Sequence, residues 1–108
     1  MAITINIRYT GKSGNAEKFA KEMIESGTVD AIRKEEGNLY YEYYRPLTDD
    51  ETILLIDSWV DQEALDRHHA SPMMGTIAAL REEYDLHMTA ERYVSIDTPS
   101  TENAFIRK

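Results

Sequence analysis

The residues of this chain best suited to moving protons are its three histidines, His68 and His69 side by side and His87 alone. An unperturbed imidazole titrates close to neutral pH, so His68 could take a proton from a phenolic or enolic hydroxyl. Neighbours on a helix are turned about 100° apart, so His68 and His69 do not readily chelate one metal, and His69 reads as surface. His87 has no visible partner and reads as partly buried and structural. Asp57 and Glu42 are strand acids able to orient a histidine or to stay solvated. Trp59 offers a flat pocket wall, Met73 and Met74 an adaptable apolar one, and Tyr40, Tyr41, Tyr43 and Tyr44 could line an aromatic-binding cavity. Each also fits a plainer role: His68 satisfied at a helix end by a carboxylate such as Asp57 or by a carbonyl, Trp59 and the methionines as core, the tyrosines as strand packing. There is no Gly-rich phosphate loop, no nucleophile elbow and no His-x-x-x-His pair, and no metal site is predicted.

These groups must be positioned by the stretch from Gly37 to Met74. Leu39, Tyr41 and Tyr43 alternate with Tyr40, Glu42 and Tyr44, which predicts a strand with Leu39, Tyr41 and Tyr43 on one face. Pro46 ends it, Thr48-Asp49-Asp50 turns the chain, and Ile53 to Trp59 resumes as a β-branched run, so the two should pair as an antiparallel hairpin. Asp61 is placed to cap a helix in which Glu63 sits in the first turn and Ala64, Leu65 and His68 share one face. Trp59 and His68 are thereby brought to one cleft.

Before this stretch, Ile3, Ile5 and Ile7 alternate with Thr4, Asn6 and Arg8 in a first strand from Ile3 to Tyr9. From Ser13 as a predicted N-cap, Ala16, Phe19, Ala20, Met23 and Ile24 recur at helical spacing; Ser26-Gly27-Thr28 should break the helix, which ends near Glu36-Gly37. After it, Ser71-Pro72 resets the chain into a helix from about Met73 to Glu83, with Met73, Met74, Ile77, Ala78 and Leu80 as its apolar set. A last strand is expected within Asp85 to Ile96, irregular near Thr89-Ala90-Glu91. Residues 1–97 form the predicted domain and 98–108 a polar tail, disordered or docked through Ala104-Phe105-Ile106.

The order βαββααβ predicts an α+β, ferredoxin-like domain with a four-stranded antiparallel sheet. Its helices cover one face, and aromatic residues on both sides of the hairpin strands call for a homodimer packed sheet to sheet, the last strand or tail reaching across. At 108 residues the chain fits one domain; its net charge of -8 argues against nucleic acid as partner, and the sequence shows no basic stripe of the kind that neutralises phosphates. No apolar run approaches the roughly 18 residues of a membrane span, and the N-terminus is too short and polar for a signal peptide. With no cysteine there are no disulfides, thiolate metal sites, iron–sulfur clusters or cysteine nucleophiles, which fits a reducing compartment and a cytoplasmic location.

Glu36-Gly37-Asn38-Leu39-Tyr40-Tyr41-Glu42, Trp59, Glu63-Ala64-Leu65, His68 and Ala70-Ser71-Pro72 together resemble the antibiotic biosynthesis monooxygenase family of the dimeric α+β barrel superfamily, over roughly residues 3 to 96. The resemblance implies a cofactor-independent monooxygenase that oxidises a quinol or polycyclic phenol with O2, needing no cofactor because phenolates are electron-rich enough to react with oxygen directly. His68 is then the base, Asn6 looks into the cleft to hold a substrate oxygen, and Trp59, Tyr41, Met73, Met74 and Asp57 form the substrate site. Members of the family also include haem-degrading enzymes and an isomerase of a phosphorylated autoinducer. The haem degraders have a ligating histidine near Ala78 and a tryptophan where His68 stands, so haem degradation does not fit. The quinol oxygenases commonly carry a second histidine where this chain has Met73. An isomerase or other acid–base enzyme on a small oxygenated ligand, or a noncatalytic dimeric binding or stress-response module, remain the alternatives.

Overall fold

The computed structural model describes residues 2–108. Strand β1, Ile3–Thr10, alternates as its sequence dictates: Ile7 and Tyr9 are buried and Ile5 packs against the same core, while Arg8 and Thr10 are exposed. A tight 3-10 turn at Lys12–Gly14 leads into helix α1, Asn15–Glu25, which buries Ala16, Phe19, Ala20 and Met23. Ser13 does not cap this helix: it lies inside the turn in the left-handed region at φ 58, and Gly14 occupies the cap position without a side-chain bond. The expected break falls at Gly27, whose φ of 83 stops α1 and starts α2, Thr28–Arg33, with Val29 and Ile32 turned inward.

The hairpin is strand β2, Asn38–Tyr44, and strand β3, Thr52–Trp59. Tyr41 and Tyr43 face the helices as expected, but Leu39 is exposed because the pairing slips between Asn38 and Tyr40. An extra residue in one strand breaks the alternation, and no propensity in these residues announces it. Helix α3, Gln62–His69, begins at Asp61, whose carboxylate accepts from the Ala64 N–H at 2.8 Å, and buries Ala64, Leu65 and His68. Helix α4, Met73–Glu83, buries Ile77 and half-buries Met73, Met74 and Leu80; Ala78 faces solvent.

Strand β4, His87–Val94, pairs with β1 from Thr10↔His87 to Ile3↔Val94 without the expected irregularity. The four strands form one antiparallel ferredoxin-like sheet in the order β2-β3-β1-β4. At one edge of the sheet, away from the helices that pack over β1, β2 and β3, β4 is exposed along its whole length, which leaves His87 at the surface rather than partly buried. At the opposite edge Arg33 donates from Nε and Nη2 to the Tyr41 carbonyl, at 3.0 and 2.8 Å. All four helices lie on one face. The other face carries Thr4 and Ser58, joined at 3.0 Å, Arg8, Leu54, Ile56, and Tyr40 and Tyr44, whose hydroxyls both donate to Glu42. Residues 100–105 form a 3-10 turn in which Phe105 is exposed rather than docked. Among the described residues no helix is long and apolar enough to cross a membrane.

Candidate active site

The two elements that carry Trp59 and His68 are locked together by Gly37. Its φ of 86 is open to glycine at little cost, and a Cβ there would lie 2.5 Å from the Ala64 Cβ. The absence of a side chain lets the chain before β2 close onto α3, and the Val60 N–H donates to the Gly37 carbonyl at 2.9 Å. This closure carries Glu35, two residues upstream, to the imidazole.

His68 is 3% exposed, and its Nδ1 lies 2.8 Å from Glu35 Oε2. A carboxylate only accepts, so Nδ1 carries the hydrogen and the lone pair of the neutral ring is left on Nε2. The ring stacks on Trp59 at 4.8 Å between centroids and meets Tyr41 edge-on at 6.5 Å. Trp59 in turn donates from Nε1 to Asp57 Oδ1 at 2.7 Å. Neither Asp57 nor a carbonyl satisfies His68; Glu35 does. That residue is missed by sequence reasoning, and its one signal is its place just before the glycine turn.

Burial dominates the electrostatics of this layer. It pushes the Asp57 carboxyl up to about 6, against the pull of the Trp59 hydrogen bond and of His68. It also raises the phenols of Tyr9, Tyr41 and Tyr43, which therefore stay neutral hydrogen-bond donors. Burial lowers His69.

Of the residues expected at the site, His68, Trp59, Tyr41 and Asp57 are brought together, with Met73 and Met74 half-buried against the same core. Asn6 is not. It pairs with Ile56 and Glu91 and, between inward-facing Ile5 and Ile7, it falls on the helix-free face with Thr4 and Arg8. Strand alternation therefore separates Asn6 from His68 by the thickness of the sheet. Among the described residues no three His, Asp or Glu side chains converge as a metal site. The aromatic layer is closed: Trp59 is wholly buried, and a depression of about 390 Å³ beside it on the surface is lined instead by Arg33, Asn38, Leu39, Tyr40, Tyr41 and Glu42. Sheet order, buried dyad and stacked tryptophan together place one ionisable pair inside the helix-covered layer.

Comparison with known proteins agrees with this architecture. A putative antibiotic biosynthesis monooxygenase from Deinococcus radiodurans superposes with a TM-score of 0.77 at 17% identity, over 93% of this chain and 97% of that one. SnoaB, a cofactor-independent oxygenase from Streptomyces nogalater, gives 0.73 at 20% identity, over 92% and 97%. A conserved protein from Methanosarcina mazei gives 0.72 at 26%, over 86% and 91%. No curated protein matches by sequence. The antibiotic biosynthesis monooxygenase family profile matches residues 2–80, most of the chain and every residue of the dyad and its aromatic shell, and the chain belongs to that family.

Proposed function

We propose that this protein is a cofactor-independent monooxygenase that oxidises a quinol or polycyclic phenol with O2, working as a homodimer. The observation that carries the reading is the His68–Glu35 pair, buried at 2.8 Å against the face of Trp59. Glu35 fixes the imidazole tautomer, so Nε2 is the atom that takes the substrate's hydroxyl proton. The phenolate so formed is electron-rich: its ring carbon bonds to O2, and the peroxide takes the proton back from Nε2. Loss of the C–H proton from that carbon breaks the O–O bond, so that one oxygen stays as a ring carbonyl and the other leaves as hydroxide, which combines with that proton as water. Trp59, Tyr41, Met73 and Met74 supply the apolar surface that strips water from the ring, and Asp57 holds the indole. Asn6, on the opposite face, has no part in this chemistry within its own protomer. The helix-free face, with half-buried Leu54 and Ile56 framed by the tyrosines, supports the dimer.

Oxygen uptake with a panel of quinols tests the reading. His68→Ala should lower the rate about a hundredfold or more, and equal rates in both proteins would remove His68 from the mechanism. Substrate turnover without oxygen consumption would identify the acid–base alternative instead. The closed packing over Trp59 is the observation that favours a noncatalytic module, and that reading expects neither uptake nor turnover with any member of the panel.

A further inference from the structure

Strand β4 lies beyond the helices, which pack chiefly over β1, β2 and β3, and every residue of it is exposed. Its hydrogen-bonding direction is set at its end, where the Ser95 N–H donates to the Ala2 carbonyl at 3.0 Å. In an antiparallel pair the backbone groups of successive residues point alternately toward the neighbouring strand and away from it. In the Ile3↔Val94 register, Thr89, Glu91 and Tyr93 therefore share the direction of Ser95 and bond to β1. Met88, Ala90, Arg92 and Val94 turn their N–H and C=O groups outward, where among the described residues no strand meets them.

Proteins blunt such an edge with a proline, a bulge, a covering group or repelling charges. The β2 edge follows that rule, because Arg33 occupies the Tyr41 carbonyl. Strand β4 does not. It has no proline and pairs with β1 along its whole length without a bulge, and its Glu91 and Arg92 charges cancel. Its Met88, Tyr93 and Val94 side chains are 41%, 47% and 49% exposed. An edge left straight, open and partly apolar is a surface on which another strand can pair.

The residues of β4 select that strand. Two copies of β4 can pair antiparallel about a two-fold axis perpendicular to the sheet, and residues that meet across the axis lie on the same face. An axis at Glu91 would set two carboxylates opposite each other, and an axis at Arg92 two guanidiniums, both destabilising. An axis at Ala90 brings together only compatible side chains. Ala90 meets its own copy, Met88 lies against the aliphatic stem of Arg92, Thr89 against Glu91 and His87 against Tyr93. The same axis matches outward-turned residues with one another, Ala90 with Ala90 and Met88 with Arg92, so that these pairs exchange about six backbone bonds.

We propose that β4 is an interface for a second copy of this chain, the two strands pairing edge to edge about Ala90 and joining two four-stranded sheets into one. This contact is separate from the sheet-to-sheet dimer on the helix-free face. It also closes on itself: once two β4 edges have met, the edges left over are the β2 edges covered by Arg33, and growth stops. One strand pair is smaller than a standard interface, so the association belongs to concentrations of about 100 µM and above.

Sedimentation equilibrium and amide exchange between about 5 µM and about 1 mM are the test. The wild-type mass should double across that range, from two chains to four where the sheet-to-sheet dimer forms and from one chain to two where it does not. The starting mass thus reports on the homodimer and the doubling on β4. The amides of Met88, Ala90 and Arg92 should exchange about tenfold or more slowly at the high concentration, while those of Thr89, Glu91 and Tyr93, already bonded to β1, should not change. Ala90→Pro spares the β1 ladder, because the N–H it removes points outward, and should hold the mass at its low-concentration value. Ala90→Lys sets like charges on the axis at an exposed site and should do the same without altering the backbone. A wild-type mass that does not rise with concentration, doubling that persists in Ala90→Lys, or new protection that does not alternate along β4 would overturn the proposal.

Discussion

Asp57→Asn should make the protein more stable at pH 8 and leave it nearly unchanged at pH 4. The carboxyl is 4% exposed and its folded-state pKa is pushed up to about 6 from 3.8, chiefly by burial. An acid whose pKa is raised by folding holds its proton more tightly in the native state. Stability from this group is therefore fully present below about pH 4 and is lost as pH rises through about 6. Two pKa units correspond to about 3 kcal/mol at neutral pH and above. Asparagine keeps an oxygen for Trp59 Nε1 and never ionises, so it avoids that cost. For a chain of this length about 3 kcal/mol is on the order of 10 °C in Tm. Urea denaturation of both proteins at pH 4 and pH 8 measures the effect directly. A variant that is destabilised equally at both values, or a wild type whose stability does not fall between pH 4 and 7 relative to the variant, would refute the reasoning.

Gly37→Ala should cost about 3 kcal/mol, from the left-handed backbone at φ 86 and the 2.5 Å approach to the Ala64 Cβ. Ala64→Gly in the same chain should recover part of that loss in urea denaturation; no recovery would mean that the contact is not the cause. Light scattering at micromolar concentration should give twice the chain mass of 12.4 kDa, and a mass of one chain would remove the homodimer.

How far the fold could be read in advance differs from element to element for physical reasons. Asp61 capping α3 fixes the phase of that helix, and Trp59 ends a strand two residues earlier, so their meeting at 4.8 Å was legible from local rules. The Glu35 partner was not. It lies 33 residues from His68, and what joins them is the closure of Gly37 against α3, a tertiary contact with no periodicity of its own. Asn6 shows the reverse. Its outward direction was readable from Ile5 and Ile7, and the resemblance to a family carried it into a cleft that strand alternation denies it. His87 was misplaced because burial of a strand depends on what covers its face: the helices pack chiefly over β1, β2 and β3, while β4 rests on β1. Leu39 was misplaced by a register slip that its neighbours do not signal.

The two bonds from Arg33 to the Tyr41 carbonyl bear on how this protein behaves when crowded. An outermost strand with free carbonyls is a template on which a foreign strand can build, and repetition of that step leads to fibrils. Here the guanidinium occupies the acceptor that an incoming amide would need, and its charge repels the basic groups that would otherwise be drawn to so acidic a chain. Neutralising that one side chain should therefore show first in the shelf life of concentrated solutions, as turbidity and thioflavin binding.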